Sequence, residues 1–171
     1  GRTAIHKRDL ALLAVLYLGA LRRQEACDLL VSDVDLASLS LIVRAGKGGK
    51  RRTCELATAA RQPLAGWLEV RGTAPGPLFV ALSRHGTPVE TMRALTPQSI
   101  WCSVKRWCRA CELDDASPHD FRRSKASNML AAGLDLSQVQ RHLGHAQVTT
   151  TTRYDRRSHD EYATAVRRLG F

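Results

Sequence analysis

The 171-residue chain is 44 % hydrophobic and 25 % charged, proportions that exclude extended disorder and suit one domain with a core of useful size. Its longest uncharged apolar stretch, residues 10–21, falls short of the ~18 residues that a membrane span needs. Twenty-six Lys and Arg against 16 Asp and Glu leave a formal charge of +10, which points to a polyanionic partner. Of the 26 basic residues, 21 are arginine, whose planar fork of donors matches phosphate oxygens two at a time. A solvated basic surface, rich in Arg because of codon usage, is the plainer alternative. The chain opens Gly1-Arg2-Thr3 and carries charge through Asp9, so no secretory signal is expected. Lacking an initiator Met, it is expected to be a piece of something longer.

In chain order, residues 8–18 place Leu10, Leu13, Ala14, Tyr17 and Leu18 on a helical stripe, and the other apolar positions predict burial on most sides. A second helix is predicted over 23–30. Short strands follow at 34–36, 39–44 and 51–56, the last two joined by the Gly-rich turn at 45–50. A helix is predicted over 57–70, then an irregular connection over 72–97, rich in Gly, Pro, Thr and Ser. Thr96-Pro97 is an N-cap followed by Pro at the first helical position. The helix it opens should bury Ile100, Trp101, Val104, Trp107, Cys108 and Cys111. Ser117-Pro118 repeats the signal for a helix to about residue 132, with Gly133 as its stop. Residues 137–143 form a short helix ending at Gly144. Residues 148–156 make a poor helix because of four consecutive Thr. Ser158 and Glu161 form a capping box for a last helix, 158–171, with Tyr162, Ala163, Val166 and Leu169 on one side. The expected fold is mostly α with a small antiparallel β-sheet, one domain over 1–171.

The five cysteines, Cys27, Cys54, Cys102, Cys108 and Cys111, are odd in number and argue against a disulfide framework. Cys108 and Cys111 form a C-x-x-C without the second pair that a structural zinc would need. They are read as reduced thiols on a helix, with no metal.

Several polar groups stand at element boundaries. His119 and Arg122 share a face three residues apart at a helix start, where an anion is favoured; a solvated polar face explains them equally simply. His145 follows the Gly that ends a helix, and a hydrogen bond to a neighbour would account for it. Tyr154 lies in a Thr- and Arg-rich segment that is not obviously core. Arg22 sits at a helix junction with Glu25 three residues on, a spacing that also suits a plain ion pair. Lys47 lies in the Gly-rich turn, where it can reach outward or be a simple turn charge.

Order and spacing join these groups. Arg22-Arg23-Gln24-Glu25, Gly46-Lys47-Gly48-Gly49-Lys50, His119-Asp120-Phe121-Arg122, Leu143-Gly144-His145 and Tyr154 together resemble the tyrosine site-specific recombinases, the phage integrase family. The resemblance spans about residues 8–157. The intervals from Arg122 to His145 and from His145 to Tyr154 are those the family shows. Three positions depart from its pattern: Ala20 replaces the usual Gly, Phe121 the usual Leu, and Gln24 a small residue. None removes a reacting group. Family members also carry an N-terminal core-binding domain that completes a clamp on DNA, and this chain does not include it.

The resemblance implies DNA strand cleavage and rejoining through a 3′-phosphotyrosine, without metal or cofactor. Arg22 and Arg122 would hold the non-bridging phosphate oxygens and Tyr154 would attack phosphorus. His119 would assist proton transfer, Lys47 would protonate the leaving 5′ oxygen and His145 would bond a phosphate oxygen. Glu25 would orient the first Arg. The partners implied are double-stranded DNA and further copies of the chain in a tetramer, with the 158–171 helix docked on a neighbouring protomer or on its own domain. No membrane is involved, and the setting implied is the cytoplasm of a bacterium or the product of a mobile element. Strand passage of the topoisomerase IB or telomere-resolving kind, or a catalytically idle duplex-binding domain, are the alternatives. Arg44, Arg51, Lys105, Arg106, Arg109, Arg123, Arg141 and Arg153 are candidate contacts to the DNA backbone, with Arg52, Lys125, Arg156 and Arg157 as further basic residues of the same kind.

Overall fold

Helix α1 (Ala4–Leu18) begins at Thr3, whose hydroxyl caps the His6 amide. It starts earlier than the apolar stripe suggests because the cap, not the stripe, sets its first turn. A computed structural model describes residues 3–44, 51–89, 92–113 and 116–144. Among these, α1 is followed by α2 (Arg23–Cys27), β1 (Val34–Asp35), β2 (Ser40–Val43), β3 (Arg52–Glu55), α3 (Arg61–Arg71), α4 (Pro97–Ala110), α5 (Pro118–Ala131) and α6 (Leu136–Leu143). The predicted helices at 148–156 and 158–171 lie outside the described residues, as does the 45–50 turn. No helix among the described residues is long and apolar enough to cross a membrane.

Helix α1 is the central rod. It packs against α3 and α5 and touches α2 and α4, so Ala11, Leu12, Val15 and Leu16 are fully buried. Each such leucine contributes about 1.5–3 kcal/mol by leaving water. The three strands form an antiparallel sheet in the order β1-β2-β3, with Leu41 facing Cys54 and Val43 facing Arg52. Alternation along β3 puts Arg52 and Cys54 on the inward face and leaves Arg51 and Thr53 outside.

The connection after α3 is irregular as expected, with only isolated bridges among its described residues, yet it contributes to the core. Leu78, Phe79 and Val80 are fully buried. Leu78 donates to Leu29 O at 2.7 Å and accepts from Trp67 Nε1 at 2.8 Å, and Val80 bridges to Ala94. Helix α2 stops at Cys27 rather than residue 30, because Leu29 and Leu30 pair with this segment. On α4, Ile100, Val104 and Cys108 are buried as expected, but Trp101 and Trp107 are only half-buried and Cys111 is exposed.

A second, smaller core joins Ala20 to Ala126, Met129 and Leu130 of α5 and to Val139 and Leu143 of α6. It seats the α1–α2 junction against the last two described helices, and so it places the residues considered next.

Candidate active site

Between α1 and α2 the chain turns within four residues. Gly19 leaves no room for a side chain: a Cβ there would lie 2.8 Å from Val15 O and 2.6 Å from Leu21 Cδ1. Ala20 then adopts φ +49°, the left-handed region that costs a non-glycine residue about 1 kcal/mol. That backbone accounts for the usual glycine at this place. The alanine offsets the strain by burying its methyl completely in the second core.

The turn delivers Arg22 to the head of α2. Its Nη1 donates to Glu25 Oε1 and its backbone amide to Glu25 Oε2, both at 2.8 Å. Glu25 is 7 % exposed, and a second guanidinium grips it from β3. Arg52 Nη1 reaches Oε1 at 2.9 Å and Nη2 reaches Oε2 at 3.0 Å. Burial alone would push the Glu25 carboxyl up. The hydrogen bonds and charge of Arg52, with those of Arg22, outweigh it and hold the group below the usual carboxylate range.

The second wall comes from α5. Ser117 and Asp120 cap each other's amides, and Pro118 opens the first turn. His119 and Arg122 follow on one face, His119 exposed and Arg122 only 2 % exposed. Arg122 donates through Nη1 to Ala20 O and through Nη2 to Leu143 O. Phe121, one of the departures, meets Tyr17 edge-on at 6.4 Å. Gln24, another, bonds Asp28 on the surface. Neither intrudes on the site.

The third wall is the C-terminus of α6. Gly144 caps it in the left-handed region at φ +65°. The last three carbonyls each accept from a different arginine: His142 O from Arg52 Nε at 3.3 Å, Leu143 O from Arg122 and Gly144 O from Arg22 Nη2 at 3.5 Å. Three cations at the negative end of a helix satisfy carbonyls with no partner within the helix. Beneath them, burial first and then the charges of Lys125, Arg52 and Arg122 push His142 below the usual imidazole range. Burial also pushes the Cys54 thiol up to about 11, and its Sγ lies 3.3 Å from Gly19 O. It is an inert thiol.

Gly144 is confined on its other side as well, since a Cβ would lie 2.8–2.9 Å from the Arg52 guanidinium. Gly133 offers a matched comparison, with φ +88° and nothing within 4 Å. Gly133→Ala is expected to cost about 1 kcal/mol from backbone strain alone. Gly144→Ala should cost about 1 kcal/mol more, because Arg52 must move. Urea unfolding of both variants reads the difference, and equal midpoint shifts would refute the contact.

The structure therefore brings Arg22, His119 and Arg122 to one open cleft of about 280 Å³, lined also by Leu21, Arg23 and Pro118. Glu25 stands behind Arg22. Lys47, His145 and Tyr154 lie outside the described residues, as does Arg153. Of the candidate backbone contacts, Arg51, Arg109, Arg123 and Arg141 are exposed. Arg44 is exposed but paired with Asp33 at 2.7 Å. Arg106 is half-exposed and bonded to the buried Asp9, which Trp107 Nε1 and Arg8 also contact. Lys105 is withdrawn from the surface: it is 8 % exposed, with its ammonium 5.4 Å from the Trp101 ring centre. Its expected role is a contact to the DNA backbone, and its burial beside the Trp101 ring does not suit that role. The reading of Arg52 as a solvated phosphate contact also changes, since both of its Nη atoms are spent on Glu25. Its register two residues before the core residue Cys54 was the available signal.

The sequence model of the phage integrase family matches residues 2–161. The tyrosine recombinase XerA of Pyrococcus horikoshii is 35 % identical over 147 residues, 86 % of this chain and 50 % of that protein. The chain spans about half the length of the curated relatives it matches. In fold it is similar to the crystal structure of a XerA recombinase, with a TM-score of 0.77 and 24 % identity over 96 % of this chain and 57 % of that one. It is also similar to XerH recombinase bound to difH substrate, with a TM-score of 0.70 and 24 % identity over 96 % of this chain and 47 % of that one.

Proposed function

Because the chain belongs to the phage integrase family, we propose that it is the catalytic domain of a tyrosine recombinase. In this reading it cleaves and rejoins strands of duplex DNA through a 3′-phosphotyrosine intermediate. The observation that carries the proposal is the meeting of Arg22, His119 and Arg122, from two different parts of the chain, at one cleft.

The chemistry follows from the charges. Attack on a phosphodiester gathers negative charge on the non-bridging oxygens while the entering and leaving oxygens lie roughly in line. Arg22 and Arg122 meet that charge with two fixed guanidiniums, in the place of a metal clamp. Tyr154 forms the bond to phosphorus through its phenolic oxygen. Its proton is passed on with help from His119, since a phenol near pKa 10 is a weak nucleophile at neutral pH. Lys47 gives a proton to the departing 5′ oxygen, and His145 bonds a non-bridging oxygen. A second 5′ hydroxyl then attacks the phosphotyrosine and releases Tyr154, so no energy source is consumed. Arg51, Arg109, Arg123 and Arg141 hold the backbone on either side. The full protein adds an N-terminal DNA-binding domain, and four copies act together, with the 158–171 helix reaching a neighbour.

The test is a nicked suicide duplex in EDTA. The protein should form an SDS-resistant adduct with the DNA, and Tyr154→Phe should abolish it while retaining salt-dependent duplex binding. Binding without any adduct from the unaltered chain would refute the proposal in favour of an idle binding domain. An adduct that only relaxes supercoils and never joins two duplexes would favour the topoisomerase alternative.

A further inference from the structure

Arg52 has no part in the chemistry described above, yet it touches two of the elements that build the cleft, α2 through Glu25 and the end of α6 through His142 O. We propose that Arg52 is a positioning residue for strand cleavage: by binding both oxygens of Glu25 and the end of α6, it keeps Arg22 in place and leaves Arg22's charge available to the phosphate. The inference rests on the recombinase reading and adds a residue to it.

Arg22 sits at the exposed head of a five-residue helix, its side chain 48 % exposed. A long side chain there has many rotamers to lose, and Glu25 is what restricts it. Glu25 alone would be a poor anchor. A carboxylate this buried needs its lone pairs filled, and a simple one-to-one pair would cancel the arginine charge that the reaction needs. Arg52 answers both requirements. With it, each carboxylate oxygen accepts two donors, one from Arg22 and one from Arg52. Two guanidiniums on one carboxylate leave a net positive charge at the cleft, to which Arg122 adds another.

The side chain that does this is itself held rigidly. Arg52 is 12 % exposed, rises from the inward face of β3 and donates its Nε to His142 O at 3.3 Å. Gly144 packs against the guanidinium so closely that a Cβ would collide with it. Because Arg22 also donates to Gly144 O, Arg52 ties together α2, β3 and the stretch that leads to His145. Its fork is specific to arginine: a lysine at this position would keep the charge but could not span both carboxylate oxygens and a carbonyl.

The experiment compares Arg52→Met and Arg52→Lys with the unaltered chain on the nicked suicide duplex, measuring adduct formation at saturating DNA and, separately, duplex affinity. Arg52→Met is expected to slow adduct formation on the order of 100-fold, the scale of a misplaced reacting group. Arg52→Lys should recover about tenfold of this, with duplex affinity within about threefold of the unaltered chain in both. Parallel losses of rate and affinity would overturn the proposal and make Arg52 a phosphate contact. Unaltered rates in both variants would overturn it outright. Should the Met variant fail to fold, the Lys variant decides alone: a rate equal to that of the unaltered chain refutes the proposal. An unaltered chain that forms no adduct overturns the recombinase reading, and this inference with it.

Discussion

Replacing Arg122 with alanine is expected to eliminate strand cleavage for practical purposes, lowering adduct formation by 10²–10³ or more, the typical cost of losing one fixed donor to a developing oxyanion. The same change should destabilise the fold by about 2–4 kcal/mol. The two effects share a cause. Arg122 is 2 % exposed and bridges the carbonyls of Ala20 and Leu143, so its removal orphans two buried acceptors and opens a void between the α1–α2 turn and α6. Arg122→Lys separates the contributions. An ammonium keeps the charge but lacks the planar fork that reaches both carbonyls and a phosphate oxygen together, so stability should return in part while cleavage stays low. Urea unfolding and single-turnover adduct formation measure the two. A lysine variant that cleaves at the unaltered rate would show that Arg122 is structural and does not touch the phosphate.

Glu25→Gln is expected to cost about 3–5 kcal/mol, the range for removing one partner of a buried ion pair. The amide would present N–H groups to the N–H groups of Arg22 or Arg52, and two guanidiniums would be left without an anion. Cleavage should fall with it, since Arg22 loses its tether. The pH dependence of stability gives a second readout. The folded Glu25 titrates below the usual carboxylate range, so the unfolded chain takes up its proton first as pH falls. The contribution of Glu25 is therefore complete above the ordinary carboxylate pKa near 4.3 and is lost as pH falls through the lower folded value. The unaltered chain should lose this part of its stability in acid. The glutamine variant, having nothing to titrate there, should show a shallower acid slope. Identical slopes would place the acid sensitivity elsewhere.

Most helices were legible because their boundaries are local chemistry. Thr96-Pro97 and Ser117-Pro118 start α4 and α5 where expected, since a hydroxyl one residue before the first turn and a fixed proline φ need no distant partner. Gly133 and Gly144 terminate helices for an equally local reason, their positive φ. The apolar character of α1 was readable, but not which face is deepest: Ala11, Leu12, Val15 and Leu16 are fully buried, while Leu10, Leu13, Ala14, Tyr17 and Leu18 of the expected stripe are half-buried. What escaped notice depended on partners far away in sequence. Leu78, Phe79 and Val80 sit among turn-forming residues and become core because distant groups supply their hydrogen bonds: Leu29 and Trp67 to Leu78, Leu95 to Phe79 and Arg8 to Val80. The exposure of Cys111 and the partial exposure of Trp101 and Trp107 reflect which neighbours α4 happens to meet.

The candidate site divides along the same line. The order and spacing of the motifs, through their resemblance to the tyrosine recombinases, were enough to nominate Arg22, Glu25, His119 and Arg122. Residue types and spacings alone also decided membership of the family. Only the packed structure decided that Glu25 serves two arginines, that Arg52 faces inward rather than toward a duplex, and that the end of α6 is held by three guanidiniums. A charge in a sequence has no direction, and whether it meets water, a phosphate or a buried carboxylate depends on segments that come together only when the chain folds.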